Sequence, residues 1–127
     1  MSNDLVDPIG SFLKESHPEL LEESKKKPLL IIFSASWCGP CRQLQETIEQ
    51  LKEEKKKTDA NQESFLTLKI DISDASKKEY FSLVKDLVKK LNITSIPTSF
   101  IFFQGKVIKD PQKGAMKLPQ LREFVKI

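Results

Sequence analysis

The sequence predicts an α/β fold, a mixed β-sheet flanked by helices, on three observations. The run Pro28-Leu29-Leu30-Ile31-Ile32-Phe33 is short, almost wholly apolar and bounded by a proline, as a strand buried on both faces would be. Behind it, Leu44, Ile48 and Leu51 recur at helical spacing among Gln, Glu and Lys, so that strand passes directly into an amphipathic helix. Late in the chain, Phe100 to Phe103 faces Lys106-Val107-Ile108-Lys109 across a Gln104-Gly105 turn, an antiparallel hairpin. A β-α-β start, an antiparallel pair and a closing helix together make the sheet mixed.

Each element has its own signal. Asp7-Pro8 opens a short helix through Lys14, with Asp7 as N-cap and Pro8 in the first turn, and His17-Pro18 ends it. Glu19 to Lys27 reads as a further helical turn or two. The helix behind the first strand spans about Pro40 to Lys57, with Glu46, Glu49, Lys52, Glu53 and Lys56 on its wet face, and Thr58 to Glu63 is its loop. Phe65, Leu68, Ile70 and Ile72 mark the next strand, after which Ser73 and Asp74 supply an N-cap. From Lys77 to Leu91, Tyr80, Phe81, Val84, Leu87, Val88 and Leu91 repeat at i, i+3, i+4 and i+7, and Asn92 ends that helix. Leu118, Leu121, Phe124 and Val125 give one apolar face to a last helix opened near Pro119.

Length and composition bound the function. A chain of 127 residues is expected to be one domain, a helical segment over 1–27 followed by a core over 28–127. The net charge of +3 is small. Its lysines cluster at Lys25-Lys26-Lys27 and from Lys52 to Lys57 with no interleaved aromatics, which reads as solvated helix ends and argues against nucleic acid. No apolar run is long enough to span a bilayer, and Met1-Ser2-Asn3-Asp4 shows neither the basic nor the apolar region of a signal peptide. Both cysteines lie in one motif and none remains for a structural framework, which fits a reducing compartment and gives a cytoplasmic expectation. Two thiols and one distant histidine are too few for a four-ligand metal site, so no metal is expected. His17, beside a proline at a helix end, reads as an ordinary surface residue.

The motif is Trp37-Cys38-Gly39-Pro40-Cys41, at the strand-to-helix junction. Only a thiolate attacks a disulfide, and a helix N-terminus with its unpaired N–H groups favours the anion. Cys38 is therefore the candidate nucleophile. Cys41, one turn in and expected to be more buried, is the candidate resolving thiol that releases the reduced substrate. Pro40 has no N–H to leave unpaired in the first turn, and Gly39 lets another chain come close.

Trp37-Cys38-Gly39-Pro40-Cys41 after a β-run resembles the active site of the thioredoxins. Ile96-Pro97-Thr98 with the following apolar run is similar to the family's cis-proline loop and next strand. Leu68-Lys69-Ile70-Asp71 resembles its central strand, and Lys113-Gly114-Ala115 its glycine loop. The resemblance implies a thioredoxin fold with a central mixed sheet of four or five strands and helices on both faces. It implies a thiol-disulfide oxidoreductase that reduces protein disulfides, carries no bound cofactor, works as a monomer and draws on NADPH through a thioredoxin reductase or its equivalent. It further implies a cis Pro97 that presents the Ile96 backbone to an extended substrate strand, with Trp37, Gly114 and Ala115 as walls, and tuning of the cysteines by Trp37, Gly39, Pro40 and Lys69.

The sequence departs from the family pattern at three places. Ile32 stands where thioredoxins commonly bury an Asp under the second cysteine, which leaves Lys69 without its usual partner. No edge strand is visible in the first 27 residues, and the Asp71-to-Pro97 segment is longer than its counterpart. Two other readings stand beside the general reductant: a thioredoxin-like reductase dedicated to one partner, and a non-catalytic binding module on the same fold.

Overall fold

Asp7 caps the first helix in the way its position before a proline suggests. In the computed structural model, which describes residues 7–58 and 65–127, its Oδ1 accepts the N–H of Ile9 at 2.8 Å and so caps α1 (Pro8–Ser16). The expectations for Met1 to Asp4 and for most of the loop ending at Glu63 fall outside the described residues. After α1 come α2 (Pro18–Glu23), β1 (Leu29–Ser34), α3 (Gly39–Thr58), β2 (Leu66–Asp71), α4 (Lys78–Lys90), β3 (Thr98–Phe103), β4 (Lys106–Val107), β5 (Gln112–Lys113) and α5 (Leu118–Phe124).

β1 lies inside the sheet because every one of its six residues is apolar enough, or small enough, to be buried. It runs parallel to β2 across the α3 crossover, Ile32 opposite Lys69, and antiparallel to β3, Ile32 opposite Ser99. The order is β2-β1-β3-β4, with β5 pairing the start of β3. Alternation along the strands then divides the core in two. Leu29, Ile31, Phe33, Phe100 and Phe102 pack with Ile9, Phe12, Leu13, Val84 and Leu87 on the α1/α4 side. Leu30, Ile32 and Ile101 pack with Leu44, Ile48, Leu51, Leu121 and Val125 on the α3/α5 side. Helices therefore cover both faces, as the patterning requires. Arg122 ties α5 to α3 through the Glu54 carboxylate at 2.9 Å.

Several boundaries differ from expectation, each for a local reason. Ser73 and Asp74 do not cap α4: the Asp71 and Asp74 carboxylates bind the N–H groups of Ser73 and Ser76 in turns, and the helix starts later, from Lys77. Asn92 does close α4, with φ +55 just beyond the last turn. The second hairpin arm is only Lys106–Val107; just beyond it the Ile108 N–H still donates to the Ile101 carbonyl at 3.0 Å, and the Lys109 ammonium donates to the Glu123 carbonyl at 3.0 Å. β5, two residues long, carried no sequence signal. Among the described residues no strand precedes β1, and in the sheet that they form β2 ends the row.

His17 is not the free surface residue its sequence position suggested. It is half-buried between Phe12 and Tyr80, with ring centroids 5.9 and 5.7 Å away. The Ser16 hydroxyl donates to the Phe12 carbonyl, so the 2.8 Å contact between Ser16 Oγ and His17 Nδ1 has the ring nitrogen as donor. Burial holds the imidazole below its ordinary value of 6.5, against a smaller upward pull from Glu19. A depressed folded-state value means that the unfolded chain binds the proton first as pH falls. The contribution is full above about 6.5 and is lost as pH drops through the lower folded value. Denaturant midpoints measured from pH 7.5 down to 5 should fall more steeply for the wild type than for His17→Phe, which keeps the ring and removes the titration.

Candidate active site

The end of β1 and the start of α3 position the two cysteines. Cys38 precedes the first helical residue, and its carbonyl accepts from Arg42 at 3.3 Å, the first intrahelical bond. It is therefore the N-cap of α3, and its side chain behaves as one: the N–H of Cys41 points at Cys38 Sγ from 3.2 Å. Cys38 and Cys41 are joined as a disulfide with their Cα atoms 5.3 Å apart. Sulfur thus takes the place of the oxygen that usually caps a helix.

The expected difference in exposure is not found. Cys38 is 5% and Cys41 6% exposed, and both pack on Ala35, Ile72 and Ile96. Cys38 loses its exposure to the loop before β3, where the Ile96 carbonyl oxygen lies 4.0 Å from Sγ. That loop is held by three features: the Ile96-Pro97 peptide is cis, Thr98 Oγ1 donates to the Ser95 carbonyl at 2.6 Å, and the Gly114 N–H donates to Pro97 at 2.8 Å. Gly114 has φ +88, a conformation that a side chain would resist. Pro97 is buried and Ile96, which packs on the cysteines, is half-buried, whereas Ala115 is exposed.

Trp37 is 69% exposed and so stands outside the core. A Cβ added to Gly39 would meet nothing within 4 Å, so the backbone between the two cysteines faces open space although the cysteines themselves are covered. Ile32 sits in the α3-side core at 4% exposure, and its cross-strand neighbour Ser99 has a fully buried hydroxyl with no protein partner. Lys69 turns outward and does not pair with Asp71, whose carboxylate is taken up by Ser73. On that side, Cys41 lines a cavity of about 440 Å³ together with Ser34, Arg42, Glu46 and Lys69. Glu46 is the carboxylate that sequence proximity to Ile32 did not reveal. It comes to the cavity one and a half helical turns beyond Cys41, and only the β1-β2 register brings Lys69 to the same place.

A cysteine pair on a helix N-terminus, faced by a cis-proline loop, has the parts that dithiol-disulfide exchange requires. A sequence model of the thioredoxin family matches residues 10–127, and the chain belongs to that family. It is 30% identical to a thioredoxin of Mycoplasmoides gallisepticum over 108 residues, covering 85% of this chain and 89% of the relative. It is 34% identical over 98 residues to a peptide-N(4)-(N-acetyl-beta-glucosaminyl)asparagine amidase of Caenorhabditis briggsae, covering 76% of this chain. The chain spans only 14% of the length of that relative. The X-ray structure of Fasciola hepatica thioredoxin superimposes with a TM-score of 0.61 at 26% identity, covering 85% of this chain and 86% of that one.

Proposed function

We propose that the protein is a thiol-disulfide oxidoreductase that reduces disulfides in other proteins. The observation that carries this reading is Cys38 capping α3 through its sulfur, because a thiolate there receives the Cys41 N–H and the positive end of the helix. Cys38 attacks a substrate disulfide, expelling one substrate thiolate and forming a mixed disulfide. Cys41, losing its proton to water in the cavity beside it, then attacks Cys38 Sγ and expels the second thiolate. Two electrons leave the dithiol, and Cys38 and Cys41 finish as the disulfide seen in the structure. The substrate segment lies extended over the cis-proline loop, hydrogen-bonded to the Ile96 backbone, with Trp37 and the Gly114-Ala115 loop as walls. Gly39 and Pro40 set the helix entry, and Lys69 lends the cavity a positive charge.

No cofactor is held by the domain. An oxidised pair must be reset, and we assign that to NADPH through a thioredoxin reductase or its equivalent. The protein acts as a monomer in the cytoplasm. The described residues contain no helix long and apolar enough to cross a membrane. Reduction of insulin with dithiothreitol as electron source tests the reading: the protein should shorten the lag before insulin precipitates, and a lag equal to the protein-free control would refute it.

A further inference from the structure

We infer that Glu46 takes the proton that Cys41 gives up when it resolves the mixed disulfide, with water in the cavity as the relay between them. This rests on the oxidoreductase reading and assigns one step of it. Cys41 is only 6% exposed, and it lines the cavity of about 440 Å³ together with Ser34, Arg42, Gln45, Glu46 and Lys69. Its proton therefore leaves into that cavity.

Three features single out Glu46. First, the sheet offers no base: β1 and β3 present Leu30, Ile32, Ile101 and the hydroxyls of Ser34 and Ser99 to the α3 side, and none of these ionises at neutral pH. The acceptor has to come from the helix. Second, Glu46 is the carboxylate on the cavity wall, and its neighbours are engaged elsewhere. Glu49 accepts from Gln45 at 3.3 Å, and Asp71, opposite Ser34 in the β1-β2 register, is bound by Ser73. Third, Lys69 from β2 and Arg42 from α3, the latter donating to the Ser36 carbonyl at 3.2 Å, set two cations around the cavity. They stabilise the negative charge whether it sits on Glu46 or on the Cys41 sulfur. In the step itself, a water takes the Cys41 proton as it gives one to the Glu46 carboxylate. Cys41 Sγ bonds to Cys38 Sγ, the bond from Cys38 to the substrate sulfur breaks, and its electron pair leaves with the substrate thiolate. Glu46 then returns the proton to that thiolate or to solvent.

Rapid mixing of the reduced full chain, in excess, with dithiobis(nitrobenzoate) separates the steps. Coloured thiolate should appear in two phases, one whose rate grows with protein concentration, the attack by Cys38, and one whose rate does not, the resolution by Cys41. Glu46→Gln should leave the first phase unchanged and slow the second about tenfold at neutral pH, while Glu53→Gln, which removes a charge further along α3, slows neither. Between about pH 6 and 8 the second phase of the wild type should stay nearly level, whereas in E46Q it should climb with hydroxide and recover when imidazole is added as an external base. A second phase in E46Q equal to the wild type overturns the assignment, and so does a faster one, which would mean that the carboxylate only repels the Cys41 thiolate. Slowing with an unchanged pH profile and no rescue by imidazole makes Glu46 a structural residue and refutes its role as well. Each of these leaves the oxidoreductase standing; a wild type that releases no thiolate overturns both.

Discussion

Cys41→Ser is expected to stop turnover after one step and to leave the protein covalently joined to its substrate. The hydroxyl cannot attack the mixed disulfide, so Cys38 remains bound, and non-reducing electrophoresis should show a shifted band that dithiothreitol removes. Cys38→Ser should reduce insulin no faster than the uncatalysed background and form no such adduct, because a hydroxyl in place of the sulfur supplies no thiolate at the helix tip. The two variants separate the roles even though the structure covers both sulfurs equally. If Cys38→Ser were to trap partners and Cys41→Ser were not, the order of attack would be reversed. If neither did, the domain would be the binding module. The set of trapped proteins also distinguishes a general reductant from one dedicated to a single partner, since a general reductant captures many.

The parts of this site that were legible in the sequence are those written in neighbouring residues. Trp37 to Cys41 announced the strand-to-helix junction because a buried run, a proline and a helical period meet there within a few positions. The division of the core was readable for the same reason: strand alternation sends Ile31 and Phe33 one way and Leu30 and Ile32 the other. What stayed hidden depends on contacts distant along the chain. The near-equal burial of Cys38 and Cys41 follows from the Ile96 carbonyl, 58 residues further on. The polar groups opposite Ile32 and in the cavity beside Cys41 come from other strands and a helix, Ser99 and Lys69 by register and Glu46 by helical reach, so inspection of neighbouring residues could not find them. Ser73 and Asp74 misled because the same side chains that favour N-caps also close local turns, and here the turns won. His17 misled because Tyr80, its aromatic neighbour, lies on α4.

Phe102→Ala should have the largest effect on stability, a loss of about 3–5 kcal/mol. The ring is fully buried in the α1/α4-side core, on the strand that pairs with β1, directly opposite Leu29. It also abuts α1: a Cβ placed on Gly10 would stand 3.8 Å from Phe102 Cζ, so the void left by truncation opens between sheet and helix. Gly10 cannot fill it, and Ile9 and Leu13 are held by their own packing on that face. A domain of this size has roughly 5–15 kcal/mol in hand, and each kcal/mol is worth about 4 °C. The midpoint should therefore drop by roughly 10–20 °C in a thermal melt followed by circular dichroism. Phe103→Ala, one residue on and only partly buried at the strand end, should cost less than half as much, because its ring points away from this core. Equal losses at the two positions would mean that Phe102 does not hold α1 to the sheet, and the two-faced core would have to be redrawn.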